Sequence, residues 1–435
     1  MKFGNILWGE MRRYWRPFTL IIMAALLLMW STIFGLDSFT LRKGTDAAIN
    51  YDLSVEYMER FGETIDPDER AEVAADHEKT LAVLNEEYEK HMGQYDIHSK
   101  EDYDLLRGAV AYIGYHTPDE WQEEEIYQEA ADRWGADHLA ELEETCNQIF
   151  WNKIPYEIAH REQVMDSILG WAECVDDLEQ FVASLPTIDR SSLEERTLKW
   201  EIANEYSPSA EKRITQVMQS NGGRLSLLEC VYDAGESFQG HYQYWAALIL
   251  ILCGLIVLPL PVGNRVSGVT PMQYSTRAGR RIILAQFGSA ILNTLLVNAV
   301  VGGFFTAIYF LRDKNTLHLW NCPMNLCAYP RILWLDLTFG QFVWLTYGKV
   351  LLLSLALTGI LFVLSHLSRN YLPALALAIP SVIFFIRLSD KMDFMLNISL
   401  YARFVYPLTL LVSGVVAAAS VLVFVKQARK ADYVD

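Results

Sequence analysis

The 435-residue chain reads as an all-α protein: a polytopic six-helix transmembrane domain with an inserted, mostly helical extracellular domain. Three observations predict this. Six apolar runs are long enough to cross a bilayer core, which needs roughly 20 apolar residues per helix, and none of them contains Asp or Glu. Charge is segregated: residues 37–243 hold 46 acidic and 17 basic residues, a balance of −29, while the rest of the chain carries +12. Helix-start signals recur through residues 53–235, and strand signals are weak. The hydrophobic share of 52% beside a mean hydropathy of only +0.13 is therefore an average over two chemistries. The length suits two or three folding units.

Residues 1–17 predict an interfacial amphipathic helix. Ile6, Leu7, Met11 and Tyr14 recur at helical spacing, with Arg12, Arg13 and Arg16 among them, and Pro17 ends or kinks the segment. The first span, 18–36, is built on the apolar run Thr19–Leu36. Its exit, Phe34-Gly35-Leu36-Asp37, lacks a small-x-small cleavage pattern, so an uncleaved anchor is expected.

The acidic domain, 37–243, predicts seven to nine short helices. Asp66-Pro67-Asp68-Glu69, Ser99-Lys100-Glu101-Asp102 and Thr117-Pro118-Asp119-Glu120 each place a capping oxygen before acids that suit a positive helix end. Asn221-Gly222-Gly223 reads as a stop. No chemistry stands out. His77, His91, His98, His116, His138, His160 and His241 show no metal-ligand spacing, and acid runs such as Glu123-Glu124-Glu125 read as solvated helix faces. Trp121, Trp134, Trp151, Trp171 and Trp200 read as core. Cys146, Cys174 and Cys230 leave one odd thiol, Cys253 reads as packing within a span, and Cys322 with Cys327 is a candidate disulfide in the next outer loop.

The remaining segments follow in order: span two 244–262, a loop 263–281, span three 282–311, an outer loop 312–340, span four 341–365, span five 371–388, span six 404–425 and a tail 426–435. Lys349 is the one basic residue well inside a span, and it lies near enough to the outer end to snorkel. Pro380 marks a mid-span break. Gly414 and Ala418 in span six, with Gly302 and Gly303 in span three, offer small-residue packing faces. Basic residues gather at Lys2, Arg12, Arg13 and Arg16, at Arg265, Arg277, Arg280 and Arg281, at Arg369, and at Lys426, Arg429 and Lys430. The positive-inside rule then places both termini in the cytoplasm of a multi-pass cell-membrane protein and the acidic domain outside.

The loop between spans two and three carries the strongest functional signal. It runs from Asn264 through Gly268, Met272, Ser275-Thr276 and Gly279-Arg280-Arg281 to Gln286. The glycines permit sharp turns at both ends of a short helix, and Arg280 and Arg281 can pair with lipid head groups or partner carboxylates. This order resembles the coupling loop of type-2 ABC (ATP-binding cassette) exporter permeases. Asn264 stands where those permeases often have Glu, and Gln286 where Lys is common. The resemblance covers residues 1–36 and 244–430. It implies a permease subunit, not itself an enzyme, paired with a copy or sister subunit in the bilayer and with cytosolic ABC ATPase subunits. Gly268, Met272, Ser275, Thr276, Gly279, Arg280 and Arg281 would couple to the ATPase. ATP and magnesium would bind the partner; this chain has no GxxxxGK[ST] loop and no cofactor is expected in it. No nucleic-acid partner is expected.

Two other classes compete. An anchored receptor or structural protein would work through its acidic domain, whose charge could attract cationic peptides. An ion-coupled carrier would need intramembrane carboxylates, which the six runs lack. Peptide and lipid-like cargoes both stay open.

Overall fold

The computed structural model describes residues 3–34, 46–115, 124–184, 208–227, 234–275, 281–312, 314–325, 332–397 and 401–430. Among the described residues the fold is all-α, apart from one antiparallel pair of two-residue strands, β1 (Thr64–Ile65) and β2 (Leu225–Ser226), and two isolated bridges, Pro323 to Thr338 and Leu333 to Asn397. Contacts divide the chain into two units: residues 43–178 with 223–231, and residues 1–42, 179–222 and 232–435.

The acidic unit contains helices α3 (Asp46–Phe61), α4 (Arg70–Met92), α5 (Lys100–Tyr115), α6 (Glu125–Trp134), α7 (Leu139–Lys153) and, up to residue 178, α8 (Tyr156–Ser184). Their starts follow the sequence grammar. The Asp66 N–H donates to Glu69 at 2.7 Å, with Pro67–Glu69 forming a 3-10 turn before α4. Ser99 and Asp102 cap one another at 3.1 and 3.2 Å, and α5 begins between them. Thr117 to Glu120 lies outside the described residues. The core gathers Leu84, Tyr88, Met92, Tyr103, Leu106, Leu139 and Cys146 from α4, α5 and α7. Burial pushes the Cys146 thiol up to about 11, which suits a packing role. Trp151 departs from expectation. It is 67% exposed, and its ring lies against Phe150 and Tyr156 on the surface of the unit. Trp121 and Trp200 lie outside the described residues.

The membrane unit begins with α1 (Phe3–Tyr14) and α2 (Pro17–Phe34), which meet at a 54° bend. It continues with α9 (Pro208–Asn221), α10 (Ala234–Val257), α11 (Pro259–Val266), α12 (Val269–Ser275), α13 (Arg281–Val297), a π turn (Asn298–Gly302) and α14 (Gly303–Arg312). Helices α15 (Phe339–Leu367), α16 (Tyr371–Phe394) and α17 (Val405–Lys430) complete it. Among the described residues five helical stretches are long and apolar enough to cross a bilayer, and the bent α1–α2 pair counts as a sixth if it is one span. The chain is a multi-pass membrane protein. The span around α10 is the central one: its apolar window is 72% buried, against 11% for α17. Helix α10 packs on α2, α13, α15 and α16, while α17 packs on α15.

Two features depart from the sequence expectation. Helix α16 does not stop at Leu388 but runs on to Phe394, carrying Asp390 and Asp393 with it. Charged residues do not end a helix whose backbone bonds stay internal. Helix α9, inside the acidic stretch by sequence, groups with the membrane unit. Its Ala210, Ile214, Val217 and Met218 form one buried face, and Arg213 reaches Asp336 at 2.5 Å and the Leu333 carbonyl at 3.3 Å. The Arg213 guanidinium holds the Asp336 carboxyl below the usual carboxylate range.

Candidate functional site

Helix α10 ends at Val257, and α11, with Pro259 at its start, carries the same apolar stretch on to Val266. Within α11, Gly263 leaves room for a neighbouring side chain. A Cβ there would stand 2.9 Å from the Tyr371 hydroxyl, which opens α16. Asn264, 5% exposed, accepts a 2.6 Å bond from Arg13 of α1. Arg265 donates to the Ser368 carbonyl at 3.1 Å, just past the end of α15. The root of α11 is thus tied to two other segments.

Gly268 then turns the chain with φ +70°, a conformation that favours glycine, and the seven-residue α12 follows. Val266 and Met272, 56% and 70% exposed, flank this turn. Ser275 ends α12. Thr276, Gly279 and Arg280 lie outside the described residues, and Arg281 opens α13.

The amphipathic helix α1 lies against protein. It packs on α13, with Ile6, Leu7 and Met11 half-buried and a Cβ on Gly288 only 3.2 Å from Leu7. Arg13 holds the buried Glu10 at 3.0 Å, while Arg12 turns away over the Trp8 ring at 5.1 Å. Trp15 donates to Asn293 at 2.7 Å. Asn264 and Gln286 are both buried at this junction; Gln286 faces His366 at 3.4 Å.

A second cluster sits at the other end of α15. Lys349 has a side chain 1% exposed, and its ammonium contacts the Asp393 carboxylate and donates to the Ser389 carbonyl at 3.1 Å. The Tyr242 hydroxyl donates to both Asp393 oxygens at 2.9 and 3.0 Å, and its ring lies 4.5 Å from the ammonium. Lys349 therefore does not snorkel. It is locked to α10 and α16, and the span helices do contain a carboxylate. The sequence carried a signal for this in the helical spacing of Ser389 and Asp393 beyond Leu388.

Between these clusters a polar ladder crosses the bundle. Thr294 bonds Thr358 at 2.7 Å, and Asn298, at the π turn, donates to Ser354 at 2.8 Å. A Cβ on Gly359 would stand 3.4 Å from Ala417 and Val421 of α17. Gly414 and Ala418 face outward instead, and a Cβ on Gly414 would meet nothing within 4 Å. Cys322 and Cys253 are buried; Cys327 lies outside the described residues, and so does the candidate disulfide.

In the acidic unit His77 lies 2.8 Å from Glu162, with Asp166 one turn on, three ligand atoms within 4.8 Å of one another. Linear spacing hid this set because His77 is on α4 and the acids on α8. Lys100 sits 3.5 Å from the same Glu162 oxygen and supplies a counter-charge that a cation would have to displace.

Compared with known proteins, the chain matches no family model, no curated protein and no solved structure.

Proposed function

We propose that this chain is the membrane subunit of an ATP-driven type-2 ABC exporter, moved by separate ATP-hydrolysing subunits. One observation carries the reading: α12 follows a sharp turn at Gly268, and its root in α11 is pinned to α1 through Arg13–Asn264 and to the end of α15 through Arg265–Ser368. A load applied to α12 reaches three parts of the bundle at once, through contiguous bonds. The exposed Val266 and Met272 are the groups a soluble partner would grip. The order Gly268, Ser275-Thr276, Gly279-Arg280 supports the same reading through its resemblance to the permease coupling loop.

In this account α2, 18 residues and about 27 Å long, is a span in its own right, giving six. Both termini and α12 face the cytoplasm, the acidic unit faces outward, and ATP with magnesium sits on the partner. The outward apolar faces of α16 and α17 would meet lipid and a second permease subunit, either a copy of this chain or a sister. Met272→Asp tests the proposal. Membrane insertion should stay at the wild-type level while ATP-dependent transport in vesicles falls by about ten-fold or more, the scale of burying an unpaired charge. Unchanged transport would contradict it.

The buried Lys349–Asp393 pair favours a second reading, an ion-coupled carrier, since intramembrane charges often mark ion pathways. Its bonds to Tyr242 and Ser389 fit a structural brace better.

A further inference from the structure

A cavity of about 710 Å³ opens where α1 and α2 face α10, α11 and α12. Its lining combines two chemistries. Arg13 and Arg16 provide guanidinium groups, and among the described residues no Asp or Glu lines it. Arg13 is already held by Glu10 and Asn264, whereas Arg16 is exposed and makes no ion pair among the described residues. The first turn of α2 borders the same space through Phe18 and Thr19. Leading N–H groups of a helix lack intrahelical acceptors, and this end of the dipole is positive. The remaining wall is hydrocarbon, supplied by Ile22, Leu255, Ile256 and Leu260. These lie within apolar helical stretches, whereas Arg13 and Arg16 precede the apolar run of α2.

The cavity is far larger than a free phosphate, and apolar side chains make up much of its wall. We infer that it binds one anionic phospholipid, with the phosphate at Arg16 and the start of α2 and an acyl chain along Ile22, Ile256 and Leu260. Basic pockets between spans have this physical logic: the charge selects the head group and the hydrocarbon retains the tail. The site adjoins Asn264, whose side-chain NH₂ has no partner among the described residues, so an occupant would also touch the Arg13–Asn264 tie between α1 and α11. The inference needs only the membrane fold and stands whether or not the exporter reading holds.

The test is native mass spectrometry of the full chain in mild detergent, offered equal amounts of phosphatidylglycerol and phosphatidylcholine. The wild type should retain phosphatidylglycerol preferentially by about ten-fold, the scale of one charge-assisted hydrogen bond. Arg16→Gln should abolish the preference. Arg12→Gln removes the same charge from a side chain that lies over Trp8 and does not line the cavity, and should keep it. A wild type that retains both lipids equally, or an Arg16→Gln variant that keeps the preference, would overturn the site. Inorganic phosphate that displaces the lipid at equal concentration would overturn the lipid assignment, because the hydrocarbon wall would then add nothing.

Discussion

Lys349 and Asp393, 44 positions apart on neighbouring apolar helices, meet as a buried ion pair beneath the Tyr242 ring. Breaking such a pair from one side leaves an uncompensated buried charge, whereas replacing both partners removes the desolvation cost as well. Lys349→Met alone should therefore lower stability by about 3–5 kcal/mol, and adding Asp393→Leu should restore most of it. Thermal unfolding of the detergent-solubilised variants measures this. Transport in the double variant also separates the two functional readings: a brace tolerates the exchange, and an ion pathway loses its function.

The glycines of α15 and α17 give a paired prediction. Gly359→Val should push α17 from α15 and cost about 1–3 kcal/mol, because the added methyls meet Ala417 and Val421. Gly414→Val should leave the stability of the single chain unchanged, since nothing lies within 4 Å. If Gly414→Val instead lowers the sedimentation-measured oligomeric state, the outward face of α17 is the seam with a second subunit.

The turn between α4 and α5 predicts a pH window. Asp96 adopts φ 61° and is clasped by Arg133 at 2.7 Å, while His98 bonds Glu89 and Asp96. Hydrogen bonds to Glu89 and then Asp96 raise the His98 pKa, and Arg133 followed by His98 lowers that of Asp96. The histidine contribution is full below its ordinary value and is lost as pH rises through the raised one. The Asp96 contribution is present above the ordinary carboxylate value and is lost as pH falls through the lowered one. Amide-exchange protection of residues 96–102 should peak between the two limits. His98→Phe should flatten the alkaline limb, and an unchanged limb would show that His98 does not set it.

Membrane orientation has a direct readout. Met272 is 70% exposed at the α12 end and Leu317 is 50% exposed beyond α14. A cysteine at 272 should react only after the membrane is permeabilised, and one at 317 should react in intact cells. The reverse pattern would invert the topology.

Much of this fold is legible in the sequence, because a bilayer demands long apolar runs and the chain supplies them at Trp245–Val262, Ile282–Leu311 and Gln341–Ser365, all found as helix. Local grammar is equally readable where side chain meets backbone within three residues, as at Ser99–Asp102 and Gly268. Pairings across distant segments are not. Asp393 looks like a loop charge until α16 is seen to continue, and only the bundle brings it to Lys349. Nothing in the sequence shows that Asn264 and Gln286 are buried. His77 and Glu162 meet only because α4 and α8 lie side by side.

The central claim is that α12 delivers the motion of a separate ATPase to the spans. Its most direct test is purification of the tagged full chain in mild detergent, with mass spectrometry and an ATPase assay on the eluate. The account predicts a stoichiometric ATP-binding subunit with measurable ATPase activity, both lost when residues 268–281 are replaced by a flexible linker while the chain still inserts. A chain that purifies alone and without ATPase, or an ATPase that stays bound after the replacement, would contradict it.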